Sequence, residues 1–278
     1  MLSTKEGFDL DALINEALDQ ADKRTRRIVS HRYGLEAPET KTLAKLGDEY
    51  GLTRERVRQI EAAFLDSIRA KIKAHEEAAK FLKLVEQYLA DVGGLRRSDF
   101  LARDFSIILD DKRGEDLLYN QLHFLAKVLE EPLINRPNED WHLVWYTEPK
   151  VLERAEELVR HLLNLDKHDF NRYLAIVVPK FKLPEPLIVN YLTLSKRFAT
   201  GPYGDLGADH WVHVAPKTVR DKAYLVLEKS SNPLHFTEIA RLVNSLDERK
   251  RAPATVHNEL IRDPRFVLVG RGTYAIND

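Results

Sequence analysis

The run Thr42-Leu43-Ala44-Lys45-Leu46-Gly47-Asp48-Glu49-Tyr50-Gly51-Leu52-Thr53-Arg54-Glu55-Arg56-Val57-Arg58-Gln59-Ile60-Glu61, continuing to Ile68, decides the reading of this chain. It spells two helices and a tight turn. Leu43, Ala44 and Leu46 give the first helix an apolar side, and Gly51 ends it where a residue without Cβ can adopt positive φ. Leu52 plugs the turn. Thr53 suits the cap of the next helix, because its hydroxyl accepts from an otherwise unpaired backbone N–H. In that second helix Val57, Ile60, Phe64 and Ile68 recur at the spacing of one helical face. At about 100° per residue, Glu55, Arg58, Gln59 and Ala62 fall opposite them, with Arg54 at the exposed start.

One side of this helix can pack while the other offers a carboxylate, a guanidinium and an amide. These groups suit base edges: Arg forks onto guanine, Gln onto adenine, and Glu accepts from the cytosine amino group. Ala62 is small enough for close approach. The plain alternative is an amphipathic surface helix with solvated charges. The turn and the cap at the right spacing favour a DNA-reading helix-turn-helix.

At these residues a family resemblance becomes specific. Residues 24–69 resemble region 4 of the sigma-70 family of bacterial transcription initiation factors. The likeness is carried by Arg32-Tyr33-Gly34-Leu35, by Thr42-Leu43-Ala44-Lys45-Leu46-Gly47 and by the run from Thr53 to Glu61. It implies a recognition helix in the major groove of a promoter element. By the same resemblance Arg54, Glu55, Arg58 and Gln59 match base-contacting positions, and Arg32 and Thr42 match backbone-contacting ones. It further implies double-stranded DNA as a ligand and docking on the flap of the RNA polymerase β subunit.

Working outward, the 278 residues are 44% hydrophobic and 31% charged, which describes a globular chain of more than one domain. Formal net charge is −1, so nucleic-acid binding requires a local basic surface. Lys23, Arg24, Arg26, Arg27 and Arg32, then Arg54, Arg56 and Arg58, supply one. There is no cysteine. That excludes disulfides, thiol nucleophiles and cysteine-ligated zinc, and fits a reducing cytoplasm. Residues 1–7 lead into Asp9 and Asp11 rather than an apolar run, so no secretory signal is expected. No apolar stretch reaches the roughly 18 residues of a membrane span.

The pattern predicts a mostly α fold with small β-hairpins: an N-terminal helix-turn-helix domain followed by tandem winged-helix modules. The expected segments are 1–75, 76–148, 149–216 and 217–278. Helices are expected over 8–21 and 24–33, then helical pattern past Ile68 as one long helix or two abutting ones. In the second segment Phe81, Leu84, Val85 and Leu89 mark one helix ended by Gly93-Gly94. Helices over 97–105 and 115–129 follow, then strands over 132–135 and 141–146. The order of helix, helix, helix, hairpin recurs with helices over 150–165, 170–181 and 185–194 and strands over 197–200 and 210–214. It recurs again with helices over 219–227, 236–246 and 254–261 and strands over 266–269 and 273–276. The final module resembles the HARE-type winged helix, which also forms the folded N-terminal domain of the RNA polymerase δ subunit. Pro233-Leu234-His235-Phe236-Thr237-Glu238-Ile239-Ala240 and Gly270-Arg271-Gly272-Thr273-Tyr274 carry that likeness.

Other constellations read more plainly. Arg249-Lys250-Arg251, Arg271, Arg96 and Arg97 suit phosphate contact or solvated loops about equally. His235, His257, His210 and His213 lack cysteines, an HExxH run or a third ligand at familiar spacing, so no metal site and no cofactor is expected. His210 and His213, three apart on an expected strand, would face opposite ways. Asp110-Asp111 shows no positioned acid–base partner, and no phosphate loop or nucleophile elbow is visible. Trp141, Leu143 and Trp145 share one face at strand spacing, which favours core over base stacking. The chain therefore reads as a non-enzymatic, sequence-specific transcription regulator acting with RNA polymerase. The alternative is a polymerase-bound accessory protein whose sigma-like domain mainly docks.

Overall fold

The computed structural model describes residues 8–166, 168–247 and 249–277; the leader expectation for residues 1–7 lies outside them. The chain divides into two compact units. One comprises residues 1–159 with 183–196, the other 160–182 with 197–278. This division cuts across the segment 149–216. The fold is mostly helical with small antiparallel sheets.

The first unit opens with α1 (Leu10–Leu18), α2 (Lys23–Tyr33), α3 (Leu43–Tyr50) and α4 (Arg54–Lys73). Asp9, Asp22, Thr42 and Thr53 each cap the helix that follows with a side-chain oxygen. Such caps satisfy N–H groups that have no partner within the helix. The helical pattern past Ile68 resolves into two helices. Ala74 ends α4, and the His75 ring caps α5 (Glu76–Asp91).

β1 (Leu95–Arg97), α6 (Ser98–Ile108), α7 (Glu115–Leu129), β2 (Leu133–Ile134) and β3 (Val144–Tyr146) complete a three-stranded sheet ordered β1-β3-β2. With α5, the sequence helix, strand, helix, helix, strand, strand is the winged-helix order. Sequence pattern missed β1. Arg97 ends β1 and precedes α6 without giving it a side-chain cap. Trp141 forms only an isolated bridge to Ser195, and Trp145 is buried in the core, edge-on to Phe81.

One apolar core runs through α1, α2, α4, α5, α6 and α7, joining Leu13, Val29, Ile68, Phe81, Phe105 and Phe124. The helix-turn-helix elements and the first winged helix are therefore packed together. Burial of this apolar surface is the main favourable term in folding. α8 (Pro149–Leu163) leaves the sheet, and α10 (Glu185–Leu192) returns to this unit after α9 (Phe170–Phe181). Asn190 on α10 donates to the carbonyls of Val92 and Leu95 at 2.9 and 2.6 Å and accepts from Arg96 Nη1 at 3.0 Å.

In the second unit β4 (Phe198–Thr200) pairs with β5 (Leu206–Ala208). The expected strand over 210–214 is instead a turn. Gly207 lies so close to the Trp211 ring, and Gly201 to the His213 carbonyl, that a Cβ on either would clash, and the chain folds back on itself there. His210 and His213 consequently do not alternate across a strand. Both rings lie near Trp211, which is buried.

α11 (Val219–Ser230), β6 (Leu234–His235), α12 (Phe236–Ser245), α13 (Pro253–Arg262), β7 (Phe266–Gly270) and β8 (Thr273–Ile276) repeat the winged-helix order, with a sheet ordered β6-β8-β7. Like β1, β6 escaped the sequence pattern. Ile239, Val243, Val256, Leu260 and Tyr274 form its core. Among the described residues no helix is long and apolar enough to cross a membrane.

Candidate nucleic-acid interface

The geometry of the interface begins at Gly47. A Cβ there would lie 2.7 Å from the Leu52 carbonyl oxygen. The Leu52 N–H donates to the Gly47 carbonyl at 2.8 Å, so the turn is drawn tight against α3. Gly51 supplies the left-handed step with φ of 64°. Ile28, Leu46 and Val57 are buried together with Leu43, Tyr50, Leu52 and Ile60 packed around them. This small cluster fixes α4 against α3 and α2.

With Val57, Phe64 and Ile68 buried, Arg54, Glu55, Arg58 and Gln59 are exposed together on the other side of α4. They are not four independent groups. Glu55 accepts from Arg58 Nε at 2.9 Å and Nη2 at 2.7 Å, while Arg56 Nη1 donates to Gln59 Oε1 at 3.2 Å. The Arg58 hydrogen bond holds the Glu55 carboxyl below its ordinary pKa, and Glu55 in turn raises that of Arg58. The face therefore carries a charged, oriented pair with an amide beside it. Sequence reasoning left Arg56 out of the set; its place three residues after the Thr53 cap was the available signal.

Thr42 and Arg32 sit apart from that face. The Thr42 hydroxyl accepts from the Lys45 N–H at 3.2 Å and caps α3. Arg32 lies beside it, donating to the Lys41 carbonyl at 3.3 Å. Its Nε is 3.6 Å from a Glu61 carboxylate oxygen, an ion pair too long for a hydrogen bond. The other Glu61 oxygen accepts from the buried Tyr33 hydroxyl. Arg32 is thus partly spent inside the domain. Glu61 was visible in the signature run, but its partners lie on α2 and could not be read from spacing.

The basic cluster ahead of the turn also divides. Arg26 pairs with Asp19 at 2.8 Å and with Glu36 at 3.6 Å. Lys23, Arg24 and Arg27 line a recess with Glu49 and Tyr50, and Arg24 donates to the Tyr50 carbonyl at 3.0 Å. Those three cations flank the helix-turn-helix.

Arg96 and Arg97, at the end of β1 just before α6, are bound within the fold. Arg96 is held by Asp104 and Asn190, and Arg97 by both oxygens of Asp99 while lying over the Phe100 ring at 3.9 Å. α7, the third helix of this winged module, is turned inward. Asn120 donates to the Pro38 carbonyl at 2.9 Å and Gln121 to the Leu35 carbonyl at 2.9 Å. They fasten the loop between α2 and α3. Among the described residues no group of His, Asp and Glu could hold a metal ion.

Residues 17–70 match the family Sigma-70, region 4. Stretches of 63 to 70 residues of the chain are similar to bacterial sigma factors. The RNA polymerase principal sigma factor HrdD of Streptomyces griseus is 41% identical over 63 residues, which is 23% of this chain and 18% of that protein. The RNA polymerase sigma factor RpoD of Helicobacter pylori is 41% identical over 63 residues, 22% of this chain and 9% of the relative. The RNA polymerase sigma factor SigA of a Bacillus species is 37% identical over 70 residues, 25% and 17% respectively. The chain therefore spans less than a fifth of each of these relatives' length. The match ends within α4, and the winged-helix segments lie outside it.

Proposed function

We propose that the chain is a non-enzymatic, sequence-specific DNA-binding transcription regulator that acts with bacterial RNA polymerase in the cytoplasm. One observation carries the reading: the exposed Arg54, Glu55, Arg58 and Gln59 on a helix clamped by a glycine turn, inside the stretch that matches Sigma-70, region 4. Base edges in the major groove are the natural complement of these groups. Thr42, Lys23 and Arg27 would contact phosphates and hold the register, while Arg32 is engaged by Glu61 and the Lys41 carbonyl. The polymerase β flap is the proposed protein contact of the sigma-like domain. Residues 217–278 are read as a HARE-type, δ-like winged helix that binds rather than catalyses.

The test is selection of bound duplexes from a random pool by the full-length protein, with and without polymerase. A recurring sequence obtained without polymerase supports direct reading. A sequence obtained only with polymerase transfers the function to the accessory reading. Recovery of random sequences under both conditions refutes the proposal.

A further inference from the structure

The C-terminal winged module leaves one edge of its sheet open. β7 is the outer strand of the order β6-β8-β7, and no other described strand pairs with its free side. Three consecutive apolar residues on it are exposed: Val267 at 39%, Leu268 at 59% and Val269 at 53%. Ile261, at the end of α13, is exposed at 63%. An exposed apolar edge is a template for another strand.

The register shows which backbone groups are offered. Asn277 N–H donates to the Arg265 carbonyl, so Arg265 and Asn277 form a hydrogen-bonded pair. Opposed residues in an antiparallel ladder alternate between bonded and non-bonded pairs. Val267 with Ala275 is then bonded, and Leu268 with Tyr274 is not. The N–H and carbonyl of Leu268 therefore point to the open edge.

Charge selects the occupant. Arg265 is held by Asp263 and Asp221, so a second copy of this edge would bring only the same cations, Arg262 and Arg271, and no carboxylate to meet them. Like charges brought together oppose pairing. Residues 261–277 carry Arg262, Arg265 and Arg271 against the single acid Asp263. Asp263 is already bound to Arg265 at 2.7 Å. Duplex DNA is a poorer complement. On α13, His257 is stacked on Phe236 at 4.4 Å and Glu259 is paired with Arg220, so two of its polar groups are already engaged. Three apolar side chains would also meet a sugar–phosphate surface.

We propose that β7 is a docking edge for an extended protein segment of alternating apolar residues flanked by acidic ones, added as a fourth strand. The proposal does not depend on the DNA-reading assignment. Backbone bonds at Leu268 would supply affinity, Val267 and Val269 would pack against alternate side chains, and Arg262 and Arg271 would meet the acidic flanks.

The test uses full-length protein and a fluorescein-labelled peptide, Asp-Glu-Val-Thr-Val-Thr-Val-Glu-Asp, followed by anisotropy. Saturable binding is expected. A version with lysine in place of each acid should bind at least about tenfold more weakly, because the steering charge is reversed. Leu268→Glu should weaken binding by about tenfold or more through lost apolar contact and repulsion. That position is exposed, so melting should be unchanged. Hydrogen exchange at the Leu268 amide should slow when the peptide is bound. Three results would overturn the proposal: equal binding of the acidic and lysine peptides, no slowing at Leu268, or displacement of the peptide by a random duplex.

Discussion

Replacing Gly47 with alanine probes whether the turn between α3 and α4 positions the reading face. Two opposing terms can be set against each other. Alanine in a helix interior is favoured over glycine by about 1 kcal/mol. The added Cβ, however, would sit 2.7 Å from the Leu52 carbonyl oxygen. That oxygen is main chain, tied into a turn whose N–H bonds back to Gly47 at 2.8 Å, so it cannot swing aside as a side chain would. Overpacking of this kind costs about 1–3 kcal/mol. The net effect on stability is a loss of about 0–2 kcal/mol. Relief of the clash must push Leu52 and Thr53 outward, and Thr53 caps α4 immediately before Arg54 and Glu55. Each well-placed base contact is worth about 1–3 kcal/mol of discrimination. Gly47→Ala should therefore lower affinity for the selected duplex by about tenfold or more while binding to random DNA changes little. Thermal melts by circular dichroism and anisotropy titrations on both duplexes give the two quantities. A variant that melts higher than the parent and keeps full selectivity would refute the clash and the rigidity of the turn together.

Further outcomes follow from other residues. Arg58→Ala should cost about 1–3 kcal/mol on the preferred site and relax one base position, whereas equal loss on specific and random duplexes would remove base reading from that side chain. Binding should weaken steeply with salt, and Arg27→Ala should reduce the slope of log affinity against log salt by about one; a salt-independent affinity would contradict phosphate gripping there. Arg32→Ala should instead appear mainly in the melting temperature, because its guanidinium is engaged by Glu61 and the Lys41 carbonyl. The half-buried His123 has its pKa lowered to about 4 by desolvation, then by Lys127 and Arg32. The unfolded chain therefore takes up a proton near its ordinary pKa of about 6.5 before the folded one does. The His123 contribution to stability should be lost as pH drops from about 6.5 toward 4, by an amount on the order of 3 kcal/mol. His123→Phe should flatten that part of the stability curve, measured by urea unfolding at stepped pH.

Interactions within a few residues of one another were open to inspection in the sequence. Gly51 after α3, Thr53 before α4 and the Val57, Ile60, Phe64, Ile68 stripe all act over one to four positions. Local chemistry alone therefore determined the helix-turn-helix and the outward set of Arg54, Glu55, Arg58 and Gln59. The same holds for α7, α9 and the terminal hairpin β7–β8, whose apolar periodicity or tight glycine turn is self-contained. Tertiary structure decided the rest. β1 and β6 are two or three residues long and exist because β3 and β8 come back to pair with them from far along the chain. Residues 210–214 have the composition of a strand, but contacts with Gly201 and Gly207 make them a turn. Arg32 has the sequence look of a phosphate contact, and Glu61 on the next-but-one helix draws it inward. α7 occupies the place of a reading helix in its module, yet Asn120 and Gln121 spend their amides on the Gly34–Pro38 backbone. A side chain's helix and face follow from periodicity and caps. Whether its polar group meets solvent or another part of the chain depends on distant segments that burial of apolar surface brings against it.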